Sequence, residues 1–403
     1  MPIQKILFKT LAAAGIFLPI AAFCETSFEH YRQSQQQKFQ TGSHKFIHYK
    51  NSLTQDFLAY KKAQEKEYKK YKKELLQYWD NPELTTKKRL VHYTKDKQTK
   101  TAIDFEKNQI QLQTIAANEK QARQKLAHAL FKAASINTKQ LYKEDELLQK
   151  LDHIKRPSSM VKANVDAKPI LTNVLFKKPP TTEDLIKYTK KEIANNAIKS
   201  HLNSKQKHIY TLNIALPNDT TIKRSRTYYK EVYNAAQKEK ISPSLIFAVI
   251  HTESSFNPYA RSHIPAYGLM QIVPRTAGVD AYYYLYKEKK LLNGSYLYNS
   301  HNNIQMGSAY LHILYYRYLK YIKNPTSRLY CTIAAYNTGA GNVARAFVGT
   351  NSTYRAAEVI NRLSPDEVYA KLLKDLRYEE PKRYLLKVTK RMRIYKAIYK
   401  KNL

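Results

Sequence analysis

Glu253 is the acidic residue of this chain whose surroundings could turn a carboxyl group into a reagent. The stretch from Ile241 to Pro258, ISPSLIFAVIHTESSFNP, opens with Ser242 as the expected N-cap and Pro243 as the first helical residue; Leu245, Ile246, Phe247, Val249 and Ile250 follow. Apolar side chains almost all round describe a buried helix. No acid appears in it until Glu253, which falls in the last turn, ahead of the Asn257-Pro258 breaker at which the helix should stop. Desolvation penalises a carboxylate there, and so does the negative end of the helix macrodipole, so the group is predicted to keep its proton near neutral pH. A carboxylic acid held neutral in apolar surroundings is what protonates the leaving oxygen of a glycosidic bond. An isolated glutamate at a helix end more often only caps or pairs locally, and the neighbouring residues must decide between the two readings.

Three segments decide it. Glu253-Ser254-Ser255-Phe256-Asn257-Pro258, then Gly268-Leu269-Met270-Gln271-Ile272, then Ala335-Tyr336-Asn337-Thr338-Gly339-Ala340-Gly341 resemble, in order and spacing, the signatures of soluble-lytic-transglycosylase-type catalytic domains. The fuller run SHIPAYGLMQIVPRTAG and the downstream NPTSRLY resemble one branch, the membrane-bound lytic murein transglycosylase C family. That resemblance implies a lysozyme-like, mostly helical fold around Glu253 as sole catalytic acid/base. It implies cleavage of the MurNAc-GlcNAc bond of peptidoglycan without water, the same glutamate first protonating the glycosidic oxygen and then taking the proton of the sugar's C6 hydroxyl to leave a 1,6-anhydro end.

The resemblance also supplies substrate-binding candidates. Ser262 matches a serine that hydrogen-bonds near the cleaved bond, and Met270 and Gln271 match residues lining the sugar cleft. For Met270 simple core packing is an equal reading, since a flexible thioether fills gaps well. The amide of Gln271 can both donate to and accept from an acetamido group. Tyr336 and Asn337 belong to the third signature, whose Gly339 and Gly341 permit close approach of backbone to ligand. Tyr384 matches the tyrosine of the family's last motif, with Pro381 interrupting the usual pattern. No second carboxylate is visible at a fixed place relative to Glu253; Asp280 reads as a surface or N-cap residue rather than a nucleophile.

Other chemistries fit worse. His251-Thr252-Glu253 spells H-x-E, but the P-C-x-x-C partner of zinc deaminases is missing, and no H-E-x-x-H, Walker or dinucleotide fingerprint occurs. Neither metal nor cofactor is expected. The competing functions are a hydrolase of goose-lysozyme type, using water on the same bond, and a non-catalytic wall-binding protein.

The rest of the chain must deliver and position that site. With 403 residues, two domains are the default. A net charge of +37 implies attraction to polyanions. Lys5 and Lys9 ahead of the apolar run from Leu11 to Phe23 read as an export signal, which favours an anionic wall or membrane surface and makes nucleic acid an unexpected partner. Cys24 sits where a lipoprotein cysteine would, and the family it resembles is lipid-anchored; Phe23 is larger than the small residue expected before such a cysteine, so ordinary cleavage near Ala22 competes. Cys331 reads as a buried small hydrophobe.

The expected organisation is a signal over 1–24, a Gln-rich tether over 25–45, an N-terminal domain over 46–217 and a catalytic domain over 218–403. In the first domain a basic amphipathic helix from Phe46 to Trp79 precedes a three-strand meander at Leu90–Tyr93, Ala102–Phe105 and Ile110–Thr114, helix-like stretches at 117–134 and 181–198, and an alternating run from His208 to Leu216. The lone Trp79 is expected as a core anchor rather than a sugar platform. Beyond Leu216-Pro217-Asn218-Asp219 the apolar periodicity is helical, so the fold class is α+β: a mixed N-terminal domain followed by a mainly α-helical one.

Overall fold

Alternation of apolar and polar residues makes the strands of the first half. Arg89–Tyr93 (β1), Thr99–Asp104 (β2), Gln109–Ile115 (β3), Ile198–Leu202 (β5) and His208–Ala215 (β6) form one antiparallel sheet in the order β1-β2-β3-β6-β5. The meander is thus present, with Leu90 opposite Ile103 and Ile103 opposite Ile110, and β6 lies antiparallel to β3 with Leu112 opposite Leu212. A period of two sends alternate residues to opposite faces. Leu90, Ile103, Ile110, Leu112, Leu212 and Ile214 join the main core, where helix Glu119–Ser135 packs. Val91, Tyr93, Ala102 and Ile209 turn the other way, onto Tyr71, Leu75 and Trp79. The indole of Trp79 is buried and donates from Nε1 to the Lys97 carbonyl at 2.8 Å, which confirms it as an anchor and leaves no face for a sugar.

The structure, a computed structural model, describes residues 52–262 and 265–399. The chain divides into two units, 1–54 and 55–403; the export signal, Cys24 and the tether lie outside the described residues. Of the first helix, residues 52–75 are described. No described helix is long and apolar enough to cross a membrane.

Past β6 the regular elements among the described residues are helices, apart from Leu291–Leu292 (β7), which pairs in parallel with Met160–Val161 (β4). The architecture is α+β. Helix Pro243–Glu253 lies at its centre, with every side chain from Leu245 to Ile250 buried, as its apolar run requires. Helix Glu379–Tyr399 packs along it through stacked rings, Phe247 on Tyr395 at 5.4 Å and on Tyr399 at 4.7 Å between centroids. The main core is continuous from the sheet, through Phe105 and Leu112, to Ile246 and Ile250 of the central helix and on to Cys331, whose thiol burial pushes well above its usual range.

Candidate active site

Glu253 closes the central helix. The helix stops there, earlier than the Asn257-Pro258 breaker predicts, because Ser255 and Phe256 adopt left-handed backbone with φ of 51° and 66°. Tertiary contacts impose that turn: the buried Asn257 donates from Nδ2 to the carbonyls of Thr86 (3.2 Å) and Lys87 (3.3 Å), and its Oδ1 accepts from the Tyr259 N–H. At the other end Pro243 is the first residue, as expected, but Ser242 makes no side-chain cap; its hydroxyl pairs with that of Ser244 instead.

The side chain of Glu253 is 8% exposed. Burial pushes its carboxyl up to about 7, against the pull of the Lys87 ammonium, whose Nζ lies 4.0 Å from Oε2. The carboxyl therefore keeps its proton well beyond the usual carboxylate range, towards neutrality. Two positions back, His251 is held neutral by burial, down to about 3, with Nδ1 3.1 Å from the Tyr395 hydroxyl, so it lends Glu253 no charge. Glu380, exposed in the first turn of the C-terminal helix, is the one acid whose charge bears on Glu253. Asp280 is elsewhere: its carboxylate accepts from Tyr318 at 3.1 Å. Among the described residues no cluster of His, Cys, Asp or Glu is arranged to hold a metal.

The second signature forms a tight turn between two bridges, Arg261 with Tyr267 and Tyr267 with Ile272. Gly268 takes φ +73° with no room for a Cβ, which would lie 2.2 Å from the Leu297 carbonyl oxygen. Asn303, fully buried on helix Ser300–Ile313, clamps the turn. It donates to the carbonyls of Tyr267 and Leu297 and accepts from the Met270 N–H, each at 2.8 Å. Met270 corrects one expectation. Its side chain is 0% exposed and packs against Gly307, leaving only its backbone at the site.

Gln271, next along at φ +50°, is also buried. Its Nε2 donates to the Ala260 and Gly268 carbonyls at 3.0 and 3.1 Å. Because both neighbours are acceptors, the amide nitrogen must face them, and Oε1 is left without a partner among the described residues.

Two tyrosines converge on Glu253 from different helices. Tyr336, on helix Pro325–Thr338, donates its hydroxyl to the Met270 carbonyl at 2.9 Å, and charge on Glu253 raises its pKa further beyond the push of burial. Tyr384 approaches the carboxyl closely enough to couple to its charge yet outside hydrogen-bonding geometry, and no other described group takes up its buried hydroxyl. Pro381 does not disturb this placement. It lies in the first turn of helix Glu379–Tyr399, where a missing N–H costs nothing. Asn337 is half-buried in the last turn of its helix, ahead of Gly339, which takes φ +87° and would have open space around a Cβ. Ser262 is half-buried, and its Oγ accepts from the Ala266 N–H at 3.2 Å, closing the loop that follows the central helix.

Glu253, Tyr336 and Tyr384 thus meet, and the Tyr336 hydroxyl ties them to the Met270 carbonyl, next to Gln271. Lys87, Asn257, Asn303 and Glu380 take part without having been singled out by sequence. Asn257 stands inside the first quoted signature and Glu380 directly precedes Pro381, so the signal was there; Lys87 and Asn303 lie far away in the chain and carry none.

One acid raised by burial, in a turn-and-helix frame carrying three matched signatures, defines the class. The Transglycosylase SLT domain family matches residues 231–358. A membrane-bound lytic murein transglycosylase C of Klebsiella pneumoniae subsp. pneumoniae is 34% identical over 76% of this chain and 81% of its own length. The protein of the same description from Salmonella arizonae is 35% identical over the same shares. The solved 70 kDa soluble lytic transglycosylase of Escherichia coli aligns over 42% of this chain and 24% of its own at 22% identity, with a TM-score of 0.33. On the sequence relatives, the chain belongs to the membrane-bound lytic murein transglycosylase C family.

Proposed function

We propose that this protein is a lytic transglycosylase that cleaves the MurNAc-GlcNAc β-1,4 bond of peptidoglycan and leaves 1,6-anhydro-MurNAc ends. The observation that carries the reading is Glu253, buried and raised to about 7, so that both its acid and its base forms are accessible at neutral pH. A group poised at the working pH serves both halves of such a reaction. In the first half Glu253 gives its proton to the glycosidic oxygen as the C1–O bond breaks, its electron pair passing to the leaving sugar. In the second half the carboxylate takes the proton of the C6 hydroxyl while O6 bonds to C1, which restores the acid and consumes no water. The substrate's own N-acetyl group can steady the cation between the two steps.

Gln271, with its unpartnered Oε1, is suited to accept from an acetamido N–H of the substrate. Tyr336, Asn337, Tyr384 and Ser262 are assigned with it to the sugar cleft, and Met270 contributes through its carbonyl. Residues 46–217 and 218–403 are the two functional parts we assign. The relatives' description as membrane-bound supports export and an anchor at Cys24, with the basic surface, +37 over the chain, drawn to anionic wall or lipid.

Digestion of purified sacculi tests the reading. Mass spectrometry should find anhydro ends, and Glu253→Gln should lower cleavage by about 100- to 10,000-fold, the usual worth of positioned proton transfer. Reducing ends, or a variant turning over like wild type, would overturn it.

A further inference from the structure

We propose that Lys87 is a positioning residue of this acid/base centre: the loop ahead of β1 brings its ammonium against the Glu253 carboxyl to hold the carboxylate during the half of the cycle in which it is charged. The inference rests on the acid/base assignment of Glu253.

The loop is built to that position. Thr86 donates its N–H to the Arg89 carbonyl and Phe105 donates to that of Lys88, which ties the loop to the sheet. On the other side Asn257 grips the carbonyls of Thr86 and Lys87, and the Arg261 N–H reaches that of Thr86 at 3.4 Å. The residue that ends the catalytic turn is therefore the residue that fixes Lys87.

The two neighbouring lysines divide the work. Lys88 is committed to an ion pair with Glu106, in the turn between β2 and β3. Lys87 has Glu253 as its one acidic partner among the described residues, 4.0 Å away. Its side chain is 41% exposed, so its stem is not part of the core and its charge can be removed without a cavity.

The carboxylate needs such a partner and the acid does not. A neutral buried carboxyl is stable without a counter-charge, but the anion formed when the leaving oxygen is protonated is not. The groups gathered around Glu253 are Lys87 and Lys88 on the loop, Tyr336 on helix Pro325–Thr338, and Tyr384, Glu380 and Arg391 on the C-terminal helix, the last with its guanidinium on the Thr252 hydroxyl at 2.9 Å; His251 on its own helix is neutral. Lys87 is the cation paired with the carboxyl, and the charge of Glu380 opposes it. Without Lys87 the acid is weaker. It then keeps its proton to higher pH and gives it up less readily to the leaving oxygen.

The test is the pH profile of kcat/KM for cleavage of dye-labelled sacculi by the full chain. Loss of the acid form sets the alkaline limb, so Lys87→Met should move that limb up by about one pH unit. Turnover at the optimum should fall about tenfold, and Lys87→Arg should restore both. Lys88→Met should move the limb less, and Lys87→Gln, read alongside, guards against a folding defect in the Met variant. Lys87→Met and Lys87→Gln profiles that coincide with wild type would overturn the proposal while leaving Glu253 as the acid; only retained activity in Glu253→Gln would remove the acid itself.

Discussion

Holding a carboxyl group out of water to tune it costs stability, and that cost should be measurable as a function of pH by replacing Glu253 with Gln. Burial raises the group from its ordinary 4.5 to about 7. Below 4.5 the carboxyl is protonated in both folded and unfolded chains and contributes nothing. Between 4.5 and 7 the unfolded chain has lost the proton and the folded chain keeps it, so the folded state binds more protons and stability falls as pH rises. Above 7 both are ionised and the loss is complete. At about 1.4 kcal/mol per pH unit, the full loss is about 3 kcal/mol. Gln fills the same space and does not titrate. Urea unfolding of wild type and Glu253→Gln should therefore give matching stabilities at pH 4, and at pH 8 a variant more stable by about 3 kcal/mol with unchanged m value. The same preparation should be inactive on sacculi. A stability difference identical at both pH values would refute the reasoning, because it would mean that water already reaches the carboxyl group in the folded protein.

Asn303→Ala should destabilise by about 3 kcal/mol in urea, since it removes three buried hydrogen bonds at once, two to carbonyls and one from the Met270 N–H; a change under about 1 kcal/mol would show that the turn holds itself. Cys24→Ala should move active enzyme from membranes to the soluble fraction after a high-salt wash, the wash being needed because each surface Lys or Arg near anionic lipid adds about 1 kcal/mol. Wild type that washes off and incorporates no labelled fatty acid would remove the anchor.

Where one chain segment determines its own structure, the sequence was enough. Gln109–Ile115 alternates cleanly and is a strand buried every second residue; the run from Leu245 to Ile250 is apolar all round and is buried all round. The burial of Glu253 and the upward push on its carboxyl were legible for the same reason, because a position at the end of an apolar helix is a local property. The helix's end was not. Local breakers place it near Asn257, and the true stop at Glu253 depends on Asn257 reaching across to Thr86 and Lys87. Met270 illustrates the other failure: a motif gives the position of a side chain but not its direction, and Gly307, whose missing Cβ leaves room for the thioether, decides that direction inward. Asn303 serves three backbone groups from a helix whose own periodicity marks it only as buried.

The junction between the two halves of the described chain has a consequence for how the first half is understood. A wall-binding accessory would need only a tether to the catalytic part. Here Leu90, Ile103 and Leu112 of the sheet share one core with Ile246 and Ile250 of the central helix, and the sheet's leading loop supplies the cation that faces Glu253. Arg224, buried between the halves, donates to the Phe105 carbonyl at 2.6 Å and stacks its guanidinium on that ring, a further tie that solvent does not loosen. Burial of Glu253 and placement of Lys87 are set by the same contacts. The degree to which the acid is raised is thus a property of the whole packed unit, and on the role proposed for Glu253 the sheet half bears on catalysis through the electrostatics of one carboxyl group.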